Sequence, residues 1–288
     1  MVIMKASNHW PKASELLSSE SSPIGLIGIP AHETSISKTN AWQTPIAIRE
    51  ALSKYSNYSM ESAELESIQD LGEIKDPDNQ EPQAIETLRN FENQFLIALG
   101  GDNSITYAVA MARLDNLQES GVITLDAHHD LREGVSNGSP IRRLIDAGLD
   151  PKNIVQIGIN NFSNSQHYSD LAKSLGITVI TRDEIASIGI EEACNKALQK
   201  LNHCRRIHVD LDVDVCDRSF VPACPASAPG GISAYEIRLA ARRLIQNPNV
   251  VSCDITEIDA SMDAPDGRTV RLGALLVLES IAGFMLRG

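Results

Sequence analysis

Short apolar runs recur along the chain and alternate with stretches of a different period. IGLIGI (24–29), FLIAL (95–99), VITLD (122–126), IVQIGI (154–159), ITVI (177–180), IHVDLD (207–212) and VVSCDIT (250–256) are short and rich in β-branched residues, which predicts strands. QDLGEI (69–74) is a weaker eighth. Between them, TPIAIREALSKY (44–55), SITYAVAMARL (104–114), PIRRLIDAGL (140–149), EEACNKALQKL (191–201) and SAYEIRLAARRLI (233–245) carry apolar residues at i, i+3, i+4 spacing, which predicts amphipathic helices. Strand–helix alternation of this kind implies a mostly parallel sheet of about eight strands with helices on both faces, a three-layer α/β/α fold. DPDNQEP (76–82) reads as a surface loop and not as a domain boundary, so residues 1–288 count as one domain. Trp42, in NAWQTP, reads as a core residue.

One strand breaks the apolar pattern. HVDLDVDVCD (208–217) places Asp210, Asp212, Asp214 and Asp217 between valines and a leucine. Like charges on one face of a buried strand repel and oppose folding unless something neutralises them. Ligands of parallel sheets bind where loops leave the carboxyl ends of the strands. Four strands end in polar or acidic residues: FLIAL enters GGDNS (100–104), VITLD enters AHHD (127–130), IHVDLD enters VDVCD (213–217) and VVSCDIT enters EID (257–259).

Composition narrows the field. The formal net charge of −13 argues against a nucleic-acid-binding surface and against an anionic membrane surface. An anionic substrate therefore needs local cations. Five cysteines without paired spacing read as reduced thiols, and no apolar run is long enough for a signal sequence or a membrane span, so a cytoplasmic protein is expected.

In an extended chain Asp126, His128 and Asp130 project to one side, as do Asp212 and Asp214. Four carboxylates and one imidazole converging on one point require cations, and two divalent ions balance four carboxylates. An oxygen-rich set with a nitrogen ligand suits Mn²⁺ better than Zn²⁺.

GGDNS, DAHHD and DLDVDVCDRSFVPACPASAPGG resemble the signature blocks of the ureohydrolase (arginase/agmatinase) superfamily, over nearly the whole chain. GGDNSIT, DAHHDLR, NGSPIRRLID, FSNSQ (162–166) and PACPASAPGG are most similar to its formimidoylglutamase branch. The resemblance implies an arginase-like fold, two Mn²⁺ ions, and hydrolysis of N-formimidoyl-L-glutamate to glutamate and formamide by a metal-activated hydroxide. By the same resemblance Asp126 and Asp212 bridge both ions, Asn103 and Asp130 hold the A ion, and His128 and Asp214 hold the B ion. It implies that Asp130 also moves a proton and that Glu257 grips the nitrogen-rich carbon of the substrate. Asp210 is not expected to be a ligand, Asp217 is expected to be structural, and His129 is expected to point away from the metals.

Three positions depart from the pattern. Asn103 stands where most relatives have histidine, and an amide oxygen is a weaker donor than imidazole, so the A ion is expected to be the more weakly held. Asn137 stands where arginases and agmatinases have a proton-shuttling histidine, a task asparagine does not perform at neutral pH. Arg218 replaces a proline after Asp217. A formimino dicarboxylate needs cations, and Arg132, Arg142 and Arg143, with Asn137, are the candidates for the substrate pocket. A urea-releasing agmatinase, guanidinobutyrase or arginase is the alternative enzyme, and a catalytically weak metal-binding regulator the alternative of another class. The resemblance also implies a homo-oligomer.

Overall fold

The computed structural model describes residues 9–287. Its main sheet has nine strands: β1 (Leu17–Ser18), β2 (Ile24–Ile29), β3 (Ile68–Glu73), β4 (Phe95–Gly100), β5 (Ser120–Leu125), β6 (Ile154–Ile159), β7 (Thr178–Thr181), β8 (Arg206–Asp212) and β9 (Val250–Thr256). They pair in parallel in the order β1-β3-β2-β4-β9-β8-β5-β6-β7. The eight expected strands are all present, the weak one as β3, and the two-residue β1 adds an edge.

The helices are α1 (Thr44–Ala51), α2 (Glu81–Arg89), α3 (Ile105–Arg113), α4 (Pro140–Asp146), α5 (Gln166–Leu175), α6 (Arg182–Ile188), α7 (Ile190–Lys200), α8 (Ala234–Ile245) and α9 (Arg268–Met285). Alternation along the strands assigns them to layers. Leu26, Ile97, Ile123, Val209 and Ile255 pack with residues of α1 and α6 to α9. Ile27, Leu96 and Ala98 pack against α2 and α3, and Val122 and Ile154 against α3, α4 and α5. The result is the expected three-layer α/β/α arrangement.

Helix α9 escapes the periodicity argument because it is apolar nearly all round. It is buried against α8, and such a helix has no amphipathic face to detect. Helix α8 begins as its sequence suggests, with Ser233 and Glu236 forming a reciprocal capping box. Trp42 is not in the core. It is 44% exposed, with its ring 6.5 Å from that of His32. All five cysteines are free and buried. No helix among the described residues is long and apolar enough to cross a membrane.

Strands β8 and β9 lie between β4 and β5, although they come later in the chain. Their insertion brings the carboxyl ends of β4, β9, β8 and β5 side by side. Those are the four strands whose sequences end in polar or acidic residues. Two glycines let the loops approach at this edge. A Cβ on Gly101 would stand 1.9 Å from the Ala31 carbonyl oxygen, and one on Gly231 would stand 2.3–2.5 Å from main-chain atoms of 215–217.

Gly101→Ala is therefore expected to destabilise the fold by about 1–3 kcal/mol or more, because main chain must move to admit the methyl group. Urea unfolding of the two proteins checks this; equal midpoints would contradict the close approach.

Candidate metal centre

Asp126 follows β5, and its N–H still donates to Ile157 O at 3.1 Å, so the chain stays extended one residue past the strand. Asp126, His128 and Asp214 each offer a ligand atom, and these atoms lie within 4.8 Å of one another. His128 Nδ1 is 2.7 Å from Asp214 Oδ2 and 3.5 Å from Asp126 Oδ1. Main-chain donors orient the carboxylates: His128 N–H donates to Asp126 Oδ1 at 2.6 Å, Ala127 N–H to Asp214 Oδ1 at 3.0 Å, and Asp214 N–H to Asp212 Oδ1 at 2.8 Å. Asp126 Oδ2 is buried with no hydrogen-bond partner. A mixed oxygen–nitrogen set with an unsatisfied buried carboxylate oxygen fits a divalent cation such as Mn²⁺.

Asp130 and Glu257 face the same cleft, and both adopt left-handed backbone angles, φ 53° and 63°. Such angles in residues other than glycine are strained and cluster at functional sites. Glu257 Oε1 accepts from Asn103 N–H and from Asn137 Nδ2, each at 2.9 Å, so its other oxygen is left for a ligand. Asn103 Nδ2 donates to Asp130 Oδ2 at 2.7 Å, while Asn103 Oδ1 accepts from the hydroxyls of Thr106 and Thr256. In this orientation the amide nitrogen faces the acids, and the atom able to hold a metal is turned to the threonines. Asn137 is a brace: it donates to Glu257 and accepts from Ile36 N–H.

Burial, and then the neighbouring aspartates, raise Asp126 and Asp212 well above the usual carboxylate range. Burial raises Asp130 to about 7 and, with Asp102 adding to it, Glu257 to about 8. For His128, burial acts against the charged form, but Asp214, Asp130 and Glu257 outweigh it and raise the ring to about 9. Burial would raise Asp214 too, yet the adjacent His128 brings it below the ordinary value.

The cleft above these groups has a volume of about 280 Å³. Its rim includes Arg132, Asn137 and a wall formed by Ser163, Asn164, Ser165 and Tyr168. Arg132 lies across Gly138, where a Cβ would meet its Cδ at 2.9 Å. The other two arginines expected at the pocket are committed elsewhere. Arg143 pairs with Glu81 at 2.5 Å and stacks on the Tyr107 ring, and Arg142 bonds Asp146 one turn along α4. Neither lines the cleft. Arg218 bonds the carbonyls of Cys224 and Ser227, and Asp217 accepts from Ser219 and Gly230, so both shape the loop after β8. His208 is buried between Ser252 and Asp254, and Asp210 is buried beneath the site without a hydrogen-bond partner. His129 points away from the acids, as expected, toward Gln156 and Ser169. The left-handed angles had no signal in residue type; the wall at 163–168 overlaps the FSNSQ block, whose place at the cleft the sequence did not show.

The profile of the Arginase family matches residues 22–283. The chain is 35% identical over 278 residues to a formimidoylglutamase of Bacillus subtilis, covering 91% of this chain and 87% of that protein. The crystal structure of formimidoylglutamase from Bacillus subtilis superposes with a TM-score of 0.92 at 32% identity, covering 100% of this chain and 96% of that one. Trypanosoma cruzi formiminoglutamase, solved with Mn²⁺, shares the fold with a TM-score of 0.88 at 20% identity, over 97% of this chain and 100% of that one.

The shifts fix a sign for pH. Asp130 at about 7 and Glu257 at about 8 hold protons that an unfolded chain releases near pH 4, so their contribution to the metal-free fold falls as pH rises through those values. The contribution of charged His128 is likewise lost as pH rises through about 9. A divalent cation replaces the missing protons. Added Mn²⁺ is therefore expected to raise the melting temperature more at pH 8.5 than at pH 6; an equal or reversed difference would count against a metal among these acids.

Proposed function

The chain belongs to the arginase family, and we propose that it hydrolyses N-formimidoyl-L-glutamate to L-glutamate and formamide with two manganese ions at the acidic cleft. The observation that carries this reading is the polarity of the cleft. Its floor is a set of buried acids, and its rim holds an arginine that lies along the opening. A substrate with a cationic amidine at one end and carboxylates at the other matches that gradient.

Asp126, Asp212 and Asp214 with His128 would hold the ions, with Asp130 completing the set. When bound, the metal supplies a Lewis acid that makes water a nucleophile near neutral pH. Glu257 has one oxygen committed to Asn103 and Asn137, so the other accepts charge-assisted hydrogen bonds from the planar formimino group and orients its carbon. Hydrolysis breaks the bond between that carbon and the glutamate nitrogen, which must gain a proton as it leaves. Asp130 lines the cleft beside the other acids and is the group to deliver it. Asn137 does not move protons; it holds Glu257. Arg132 takes a substrate carboxylate through paired N–H donors.

With Mn²⁺ present, the purified protein is expected to release formamide and glutamate from formimidoylglutamate, and no urea from arginine, agmatine or guanidinobutyrate. Urea from any guanidino substrate at a higher kcat/KM would move the reading to another branch of the family. Arg132→Ala is expected to lower kcat/KM for formimidoylglutamate by about 10–150-fold, the loss of one charge-assisted interaction of about 1.5–3 kcal/mol. Arg142→Ala, which removes only an exposed pair on α4, is expected to leave kcat/KM within about twofold. Steady-state kinetics on the three proteins decides between the arginines.

A further inference from the structure

We propose that Asn164 and Gln156 are positioning residues for the metal centre, locking the main chain on both sides of His128 so that its ring stays against Asp126 and Asp214. The inference rests on the reading of His128 as a metal-binding residue and adds two residues that touch neither the metal ligands' side chains nor the acids.

Asn164 Oδ1 accepts from His129 N–H at 2.9 Å, and its Nδ2 donates to the Ala127 carbonyl at 2.9 Å. A main-chain N–H can only donate and a carbonyl can only accept, so the amide has one orientation. The two groups it holds belong to the peptide units before and after the Cα of His128. One side chain therefore fixes both soft dihedrals of that residue.

Gln156 secures the next residue. It is fully buried on β6, and its Nε2 donates to the His129 carbonyl at 2.9 Å. That leaves Oε1, 2.7 Å from His129 Nδ1, as an acceptor, so Nδ1 carries the hydrogen. His129 Nε2 is then free to accept from Ser169 Oγ at 3.3 Å. The adjacent peptide is thus tied to β6 and to α5. Only an amide gives Gln156 both bonds, because a carboxylate would oppose the carbonyl and an aliphatic chain makes neither.

The test is Mn²⁺ binding by calorimetry to metal-free protein, without substrate. Supporting groups of this kind change metal affinity by about 10–100-fold. Asn164→Ala, on a half-buried surface loop, and Gln156→Met, in the core, are each expected to weaken binding by that factor. In a His128→Ala background Asn164→Ala should weaken it by less than about threefold, because the residue acts through His128. Thermal melting of the metal-free variants separates this effect from general loss of structure. Wild-type affinity in both variants would overturn the proposal, as would an equal loss with and without His128. Unchanged affinity with a raised KM in Asn164→Ala would make Asn164 a substrate contact instead. Failure of the wild type itself to bind Mn²⁺ would remove the metal reading and the proposal together, an outcome distinct from the others.

Discussion

Buried carboxylates at the carboxyl ends of three neighbouring strands, β5, β8 and β9, repel one another, and the fold around them is shaped by that repulsion. Asp126, Asp130, Asp212, Asp214 and Glu257 are all nearly inaccessible to water; four of them line one cleft with His128, and Asp126 lies against His128 and Asp214. Two unit charges 4 Å apart in surroundings of effective dielectric 20 repel by about 4 kcal/mol. Several such pairs exceed what a marginally stable domain can absorb. The acids must take up protons or share cations, and burial with like-charged neighbours raises Asp126, Asp130, Asp212 and Glu257 above the usual carboxylate range.

The surrounding fold makes the arrangement tolerable. Two apolar layers hold the sheet, and the acids are confined to its edge. Main-chain N–H groups of Asn103, Ala127, His128 and Asp214 point at carboxylate oxygens, so the site draws on the backbone for fixed partial charge. The left-handed angles at Asp130 and Glu257 cost about 1–3 kcal/mol each. Both are at turns just beyond central strands, where packing over-determines the chain and can hold that strain.

Cations are distributed with similar economy. Arg143, close in sequence to the reactive block, is claimed by Glu81 at the start of α2 and by the Tyr107 ring. Arg142, half-buried, pairs with Asp146 along α4. Arg132 alone of the three lies over the cleft, because Gly138 leaves room for its chain. In a protein of net charge −13, a single well-placed guanidinium is enough to distinguish the rim from the acidic floor.

The strands, the layered architecture and the acids at the carboxyl ends of β5 and β8 were legible in the amino-acid sequence, because period-two alternation and strand-end position are local properties. DAHHD with Asp212 and Asp214 pointed to cation binding because like charges converging on one buried place need a counter-charge. The direction of Asn103, the commitment of Arg142 and Arg143, the exposure of Trp42 and the bracing role of Asn137 were not legible. Each depends on a partner distant in the chain, such as Thr256 for Asn103, Glu81 for Arg143 or Glu257 for Asn137. Helix α9 was hidden because burial on all sides erases the amphipathic pattern. The pairing of Asn164 and Gln156 with the 127–129 peptides arose only when β5 and β6 came side by side. Residue order sets which groups the protein carries to the carboxyl ends of its strands. The tertiary structure decided which of them face one another, since hydrogen bonds and ion pairs form between neighbours in space and period and composition report only neighbours along the chain.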